Sequence, residues 1–282
     1  MIPSITSMEN AFSLKGRTAI ITGGNRGIGK GVSLAMAQVG ANIAIFCRDI
    51  DKAKETLDEL EQYGGKYKAY RCDVLKQDSV KKAVEEAVAD FNRIDILVNN
   101  SGIACSGDLL DMDESFQTWY NVINTNLNGP FIVTYYVGRH MREMGGGSII
   151  NMSSNSAFIV NKPNNTTPYN TAKAGLDRFT KCMAYELAQH NIRVNSINPG
   201  YTGPTDIGAP RDEDGKVMAR PAPKPLKPGE MSSHDFHMKQ TPIGRFGTIL
   251  EIGALAVFLA SDAAAQITGG IHAIDGGYSL AM

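Results

Sequence analysis

Cysteine is scarce in this chain and never paired in sequence. The 282 residues hold four, Cys47, Cys72, Cys105 and Cys182, far apart and forming no Cys-x-x-Cys. That pattern offers no ligand cluster for structural zinc, and it reads as free thiols in a reducing compartment. Long apolar runs are also missing. The longest nearly unbroken one, Ile252 to Ala260, falls far short of the ~20 residues a membrane-spanning helix needs. Excess charge of either sign is absent: 28 Lys and Arg against 29 Asp and Glu leave a net charge of -1. Such a surface has no electrostatic footprint for nucleic acid or an anionic membrane. The opening stretch, MIPSITSMENAF, lacks the basic start and apolar core of a signal peptide. These absences point to a cytoplasmic protein with no metal, nucleic-acid or membrane partner, whose ligand is a small molecule or another protein.

What is present is strand–helix alternation. Short β-branched runs at Thr18–Thr22, Asn42–Phe46, Lys68–Cys72, Ile96–Val98, Ser148–Met152, Arg193–Ile197 and Ile271–Ile274 alternate with longer segments of helical period. One such segment carries Leu176, Phe179, Met183 and Leu187 on a single stripe. This rhythm predicts an α/β fold, a doubly wound parallel sheet covered by helices on both faces. No linker or internal repeat divides it, so residues 14–282 are expected to form one domain behind a short tail, 1–13. One region breaks the pattern. Six of the twelve prolines fall between Pro204 and Pro228, together with the charged run Arg211-Asp212-Glu213-Asp214. The stretch 204–240 reads as an insertion, either a lid over a site or an indifferent surface loop.

Directly after the first strand comes Thr22-Gly23-Gly24-Asn25-Arg26-Gly27-Ile28-Gly29, leading into an apolar helix. Glycines at a strand-to-helix turn let the backbone approach a pyrophosphate, and the free N–H groups of the first helical turn then hold the anion. A bare tight turn is the alternative, and the placement between strand and helix favours the dinucleotide. The end of the second strand reads Phe46-Cys47-Arg48, without the carboxylate that would accept from ribose hydroxyls. Arg48 and Arg26 instead suit a 2′-phosphate, for which a guanidinium fork is well shaped, and this makes NADP(H) the expected cofactor. Two ordinary surface arginines are the alternative. Asp49 complicates the reading, since it can pair with Arg48 or accept from a ribose hydroxyl.

Ser154, Tyr169 and Lys173 follow the fifth strand. Tyr169 and Lys173 are four residues apart and share one face of a helix. A tyrosine near its ordinary pKa of about 10 is a poor base, and a neighbouring ammonium is expected to stabilise its phenolate. Ser154 is placed to hold a substrate oxygen against the tyrosine hydroxyl.

With these motifs in order, the sequence resembles the short-chain dehydrogenase/reductase family from about Leu14 to the C-terminus. The matching elements are the glycine-rich turn, Asp73, Asn99-Asn100-Ser101-Gly102, Asn126 within Asn124-Thr125-Asn126-Leu127, Ser154, Tyr169, Lys173 and Pro199-Gly200. The resemblance implies a sheet of seven parallel strands and a homotetramer. It implies a catalytic set of Asn126, Ser154, Tyr169 and Lys173, with Asn126 anchoring a proton relay to Lys173. It further implies that Asp73 and Val74 border the adenine, and that Asn100, Tyr169, Lys173, Pro199 and Gly200 belong to the cofactor site. In that reading a ketone and a secondary alcohol are interconverted by hydride transfer, with Tyr169 passing the proton.

Three departures from the family pattern stand out. The interval from Ser154 to Tyr169 is fifteen residues where thirteen is usual. Ser156 meets the shorter interval, but Ser154 directly follows Ile149-Ile150-Asn151-Met152-Ser153, where the family's serine leaves its strand. Lys162–Pro168 can absorb the two extra residues. After Pro199-Gly200, either Thr202 or Thr205 takes the place of a cofactor-contacting threonine. The third departure is the proline-rich insertion itself. The segment 148–161 looks most like NADPH-dependent ketose and polyol reductases. A 3-oxoacyl thioester reductase is the rival, requiring a basic patch such as Lys216, Arg220, Lys224 and Lys227. A catalytically idle binding protein on the same fold is a third reading.

Overall fold

The computed structural model describes residues 5, 7–105, 109–112, 114–160, 166–205 and 231–280. Its frame is a seven-stranded parallel sheet in the order β3-β2-β1-β4-β5-β6-β9. The strands are β1 (Thr18–Thr22), β2 (Asn42–Cys47), β3 (Tyr67–Arg71), β4 (Ile96–Asn99), β5 (Gly147–Met152), β6 (Ile192–Pro199) and β9 (Ile271–Ile274). Two short strands, β7 (Thr202–Gly203) and β8 (Gly247–Thr248), pair outside it. The helices are α1 (Met8–Ala11), α2 (Gly27–Gln38), α3 (Lys54–Leu60), α4 (Gln77–Phe91), α5 (Gln117–Ile123), α6 (Gly129–Glu143), α7 (Thr167–Leu187), α8 (Ser233–Gln240) and α9 (Ile249–Ala260). All seven expected strands are present, with ends shifted by at most two residues.

The sheet is buried on both faces, which is why its strands read as continuous apolar runs rather than alternating ones. Successive residues nevertheless serve opposite faces. Ala19, Ile21, Ile43, Ile45, Ile96 and Val98 pack with α2 and α9. Their neighbours Ile20, Ala44, Phe46 and Leu97 pack instead with Val80 and Val84 of α4 and with Val133 and Val137 of α6. A chain of buried hydrogen bonds crosses the second layer. Asn99 Nδ2 donates to Asn151 Oδ1 (2.9 Å), Asn151 Nδ2 donates to Thr180 Oγ1 (2.9 Å), and Thr180 Oγ1 donates to the Leu176 carbonyl (2.9 Å). These bonds join β4 and β5 to α7 and fix where its inner face lies.

Two glycines set the spacing of α2 against α9. A Cβ on Gly31 would lie 2.3 Å from the Ile249 carbonyl oxygen, and one on Gly253 would lie 2.7 Å from the Gly31 carbonyl oxygen. At that separation the backbones touch. The sheet order reverses between β1 and β4, so the loops leaving their C-terminal ends diverge and open a crevice there.

Gly31→Ala is expected to force α9 off α2. Overpacking of this kind costs about 1–3 kcal/mol, a fall of roughly 2–12 °C in the thermal midpoint. A melting curve followed by circular dichroism reads it, and an unchanged midpoint would refute the contact as a determinant of stability.

Candidate functional site

The glycine-rich turn sits at the crevice. Gly23 (φ +65°) and Gly27 (φ +51°) occupy the left-handed region, where a side chain is strained. At Gly29 a Cβ would fall 2.2 Å from the Gly23 carbonyl oxygen, so the turn closes only with glycine there. Asn100 clamps it from β4. Its Nδ2 donates to the Thr22 carbonyl (2.9 Å), and the backbone N–H groups of Asn100 and Ser101 both donate to Thr22 Oγ1 (2.9 Å each). The Asn25 side chain points to α3, donating to the Lys52 carbonyl (3.4 Å), while Thr56 Oγ1 donates to the Asn25 carbonyl (3.0 Å). Ile28 packs onto the core. The N-cap of α2 is Arg26, which makes no side-chain cap hydrogen bond, and the first turn carries no acidic residue. Its N–H groups are therefore available to an anion, and the cradle fits a pyrophosphate.

Around this cradle, Arg26 is half-buried and Arg48 is exposed at the end of β2. The Asp49 carboxylate is engaged locally: it accepts from the Asp51 backbone N–H (3.2 Å) and pairs with Lys52 (3.4 Å). Asp73 follows β3, its carboxylate accepting from the Leu75 N–H (3.1 Å), and Val74 is buried beside it. Pro199 ends β6. Gly200 has no space for a side chain, since a Cβ there would meet Asp275 at 2.6 Å. The two threonines separate. Thr202 Oγ1 turns back to the Gly200 carbonyl (3.2 Å), while Thr205 lies over the turn, 3.7 Å from where a Cβ on Gly27 would be.

On the nearby inner face of α7 stand Tyr169 and Lys173. The helix opens on Pro168, whose fixed φ suits a first turn. Lys173 is 3% exposed; its Nζ donates to the Met152 carbonyl (2.8 Å) and lies 5.5 Å from the centroid of the Tyr169 ring. The Ser154 side chain faces the Tyr169 hydroxyl and lowers the tyrosine's pKa against the effect of burial. Ser156 is a neighbour of that serine: its N–H donates to Ser154 Oγ, and the two hydroxyls are 3.1 Å apart. Asn126 sits in a π-helical turn, Asn124–Asn128, between α5 and α6. Its Nδ2 donates to the carbonyls of Ile103 (2.8 Å) and Val122 (2.9 Å), and its Oδ1 is buried without a partner. A Cβ on Gly102 would lie 2.7 Å from that Oδ1 and 3.7 Å from Lys173 Nζ. Glycine is thus required where the two groups approach.

The electrostatics depart from the sequence expectation for the tyrosine. Burial pushes Tyr169 up to about 12, opposed by the Ser154 hydrogen bond. Burial likewise pulls Lys173 down to about 8, opposed by the charge of Asp177. Desolvation therefore outweighs the stabilisation of the phenolate that the spacing alone suggests. Sequence reasoning also passes over the side of the site formed by Tyr201, His237 and Tyr278. The Tyr201 ring stacks on His237 (4.0 Å between centroids), and the imidazole nitrogens lie 2.9 Å from the Tyr201 and Tyr278 hydroxyls. This cluster ties α8 to the end of β6. Nor does spacing single out Cys105, whose thiol is hydrogen-bonded to the Tyr169 backbone.

A family model described as enoyl-(acyl carrier protein) reductase matches residues 23–279. Sorbose reductase of Candida albicans is 37% identical over 277 residues, covering 97% of this chain and 91% of that protein. NADP-dependent mannitol dehydrogenase of Alternaria alternata is 34% identical over 285 residues, covering 99% and 98%. A 3-oxoacyl-(acyl-carrier-protein) reductase of Thermotoga maritima is 38% identical over 268 residues, covering 94% and 98%. The crystal structure of a short-chain type dehydrogenase/reductase from Mycobacterium marinum superposes with a TM-score of 0.85 at 36% identity, covering 96% of this chain and 99% of that one. The chain belongs to the short-chain dehydrogenase/reductase family.

It is accordingly an oxidoreductase acting on CH–OH groups, and the family's nicotinamide dinucleotide fits the cradle described above. The family's seven-stranded sheet is present in full. The basic residues Lys216, Arg220, Lys224 and Lys227, and most of the 204–240 insertion, lie outside the described residues, as do 161–165 of the loop before Tyr169. No helix of the described residues is long and apolar enough to cross a membrane, and no cluster of metal-ligating side chains occurs among them.

Gly29→Ala tests the cradle. The new methyl group cannot fit against the Gly23 carbonyl, so the turn must open, and dinucleotide affinity measured by calorimetry is expected to fall at least about tenfold, the equivalent of ~1.4 kcal/mol. Binding as tight as in the unaltered chain would refute the assignment.

Proposed function

We propose that this protein is an NADP(H)-dependent oxidoreductase interconverting a ketone and a secondary alcohol, with a ketose, polyol or related small polar carbonyl as substrate and Tyr169 as acid/base. One observation carries the reading: the buried Lys173 Nζ lies 5.5 Å from the Tyr169 ring, on the side of the site where Ser154 faces the tyrosine hydroxyl. When bound, the nicotinamide supplies or accepts the hydride. In the reducing direction Tyr169 donates its phenolic proton to the oxygen that takes up negative charge, and in the oxidising direction it removes that proton. Ser154 donates a hydrogen bond to the same oxygen and holds it in line. Lys173 stabilises the phenolate left after transfer. Asn126, with its unpartnered Oδ1 beside Gly102, provides the acceptor through which a proton relay reaches Lys173. Ser154 is preferred over Ser156 because it, and not Ser156, is the hydroxyl that acts on the tyrosine.

The phosphate preference rests on Arg26 and Arg48, placed at the two loops that border the adenosine end of the cradle, and on the lack of a free carboxylate there. Asp49, the acidic residue next to Arg48, pairs with Lys52 and accepts from the Asp51 amide. The name of the Alternaria relative points the same way. Thr205 rather than Thr202 is assigned to the cofactor, from its place over Gly27. Exposed Phe131, Tyr135 and Tyr185 on α6 and α7 provide apolar surface of the kind subunits bury, in keeping with a cytoplasmic homotetramer. The thioester reductase reading stays in view through the Thermotoga relative.

With NADPH and a panel of ketoses, diketones and acyl thioesters, turnover is expected on the ketoses. Turnover confined to the thioesters would transfer the protein to the rival class. Tyr169→Phe and Ser154→Ala should each lose about 10²-fold or more while cofactor binding persists. Ser156→Ala should keep most activity, and the reverse order for the two serines would overturn the assignment.

Arg48→Ala separates the cofactors. Loss of a charge-assisted hydrogen bond, about 1.5–3 kcal/mol, should weaken NADPH roughly 10- to 150-fold and leave NADH nearly unchanged. Equal effects on the two dinucleotides, by fluorescence titration, would sink the phosphate assignment.

A further inference from the structure

Behind the site, on the side away from the cradle, a polar cluster joins α7 to β6. Asp177 stands one helical turn beyond Lys173. Its Oδ1 accepts from Ser196 Oγ (2.8 Å) and its Oδ2 from Asn198 Nδ2 (2.7 Å). Ser196 and Asn198 are wholly buried, two residues apart on β6, and so face the helix together. The Asn198 amide has two hydrogens. One is given to Asp177, and the other to the backbone carbonyl of Ser154 (2.9 Å). Asp177 therefore grips, through one intervening side chain, the backbone of the serine that faces the Tyr169 hydroxyl. The Ser196 hydroxyl, 2.8 Å from both Asp177 Oδ1 and Asn198 Oδ1, has a single hydrogen and braces the same unit.

From this geometry we propose that Asp177 is a positioning residue of the acid/base site: through Asn198 it sets where Ser154 stands, and it places a carboxylate one helical turn from the buried Lys173. The inference rests on the reading of Tyr169 as the acid/base. Met152, Ser153, Ser154 and Asn126, the groups that β5, its following turn and the π-turn present to Lys173, are all neutral. Titratable groups facing the pair among the described residues are Tyr169 and Asp177 on α7 and Cys105 from the loop after β4. Asp177 is therefore the carboxylate available to a lysine that burial alone would discharge, and its charge raises the lysine against that effect. A carboxylate merely fastening helix to strand would not need to stand one turn from the lysine, nor to share its partner with the serine.

The sign follows directly. Lys173 is held down near 8 by burial with Asp177 opposing. Removing the carboxylate lowers the lysine further, so the pair loses its first proton at lower pH. Ketone reduction needs the fully protonated pair, and its falling alkaline limb must move toward acid.

The test uses the full chain with lysine labelled at Cε, the Lys173 signal being assigned by its loss in Lys173→Met. In Asp177→Asn the Lys173 titration, and with it the alkaline limb of kcat/KM for ketone reduction, should move down by roughly one pH unit, with dinucleotide affinity unchanged. Asp177→Glu should restore the titration. Asn198→Ala should leave the Lys173 titration in place but lower kcat about tenfold with little change in KM, since it cuts only the tie to Ser154. An unmoved Lys173 titration in a folded Asp177→Asn variant overturns the charge assignment. Unaltered kcat in Asn198→Ala overturns the tether, and this second variant decides that arm even where Asp177→Asn fails to fold. If the unaltered chain titrates as described yet reduces no ketone, the proposed function fails while the Asp177–Lys173 coupling stands.

Discussion

A charged ammonium held out of water is the constraint on which the reactive end of this protein depends. Lys173 is almost fully buried, and an unpaired charge in such a place is strongly destabilising. The fold meets it with a carbonyl at the end of β5, the face of the Tyr169 ring and the carboxylate of Asp177. Each of these contacts fixes a position. The Met152 carbonyl sits at the last residue of β5, one beyond the end of its pairing with β4. The tyrosine is one turn before the lysine, the aspartate one turn after it, and α7 must lie with all three against the sheet.

The remaining polar interior follows from that demand. The chain from Asn99 through Asn151 to Thr180 crosses two strands and reaches α7 from inside the layer it covers. Asn198 and Ser196 reach the same helix from β6. Buried amides and hydroxyls that are fully partnered impose one register, because any slip would leave donors unpaired in a low dielectric. Asn99 Oδ1 and Asn126 Oδ1 are among the buried atoms left without a partner, and the second lies where Gly102 brings it close to the lysine. On the proposed chemistry, the Asn126 acceptor serves proton movement rather than stability.

Much of this was legible in the sequence, and the reasons differ by element. The strands could be read because a sheet buried on both faces leaves continuous β-branched runs, too short to be confused with helices. Tyr169 and Lys173 could be paired because an i, i+4 spacing survives any error in the loops around it. Asn198 and Ser154 could not be paired, since their contact depends on β5 and β6 being neighbours in register. Spacing from Pro199-Gly200 does not separate Thr202 from Thr205, whereas their places relative to Gly27 do. The upward direction of the Tyr169 shift is illegible for a different reason. Spacing reveals the charge of a neighbour but not how deeply both groups are buried.

That burial has a chemical consequence. With burial holding Tyr169 near 12 and Lys173 near 8, the pair at neutral pH is a protonated phenol beside an ammonium. On the proposed chemistry this is the form ready to give a proton, so the resting site favours reduction of a carbonyl over oxidation of an alcohol. Burial dominates both shifts, opposed by Ser154 at the tyrosine and by Asp177 at the lysine, and the first proton leaves at the lower of the two positions. Alcohol oxidation must therefore draw on that proton loss near 8, routed through the lysine rather than taken from an isolated phenol at 12. A deeper Asp177 contribution raises the threshold for oxidation and extends the range over which reduction runs. The direction the site favours is thus set less by the tyrosine than by how firmly the lysine beside it is kept charged.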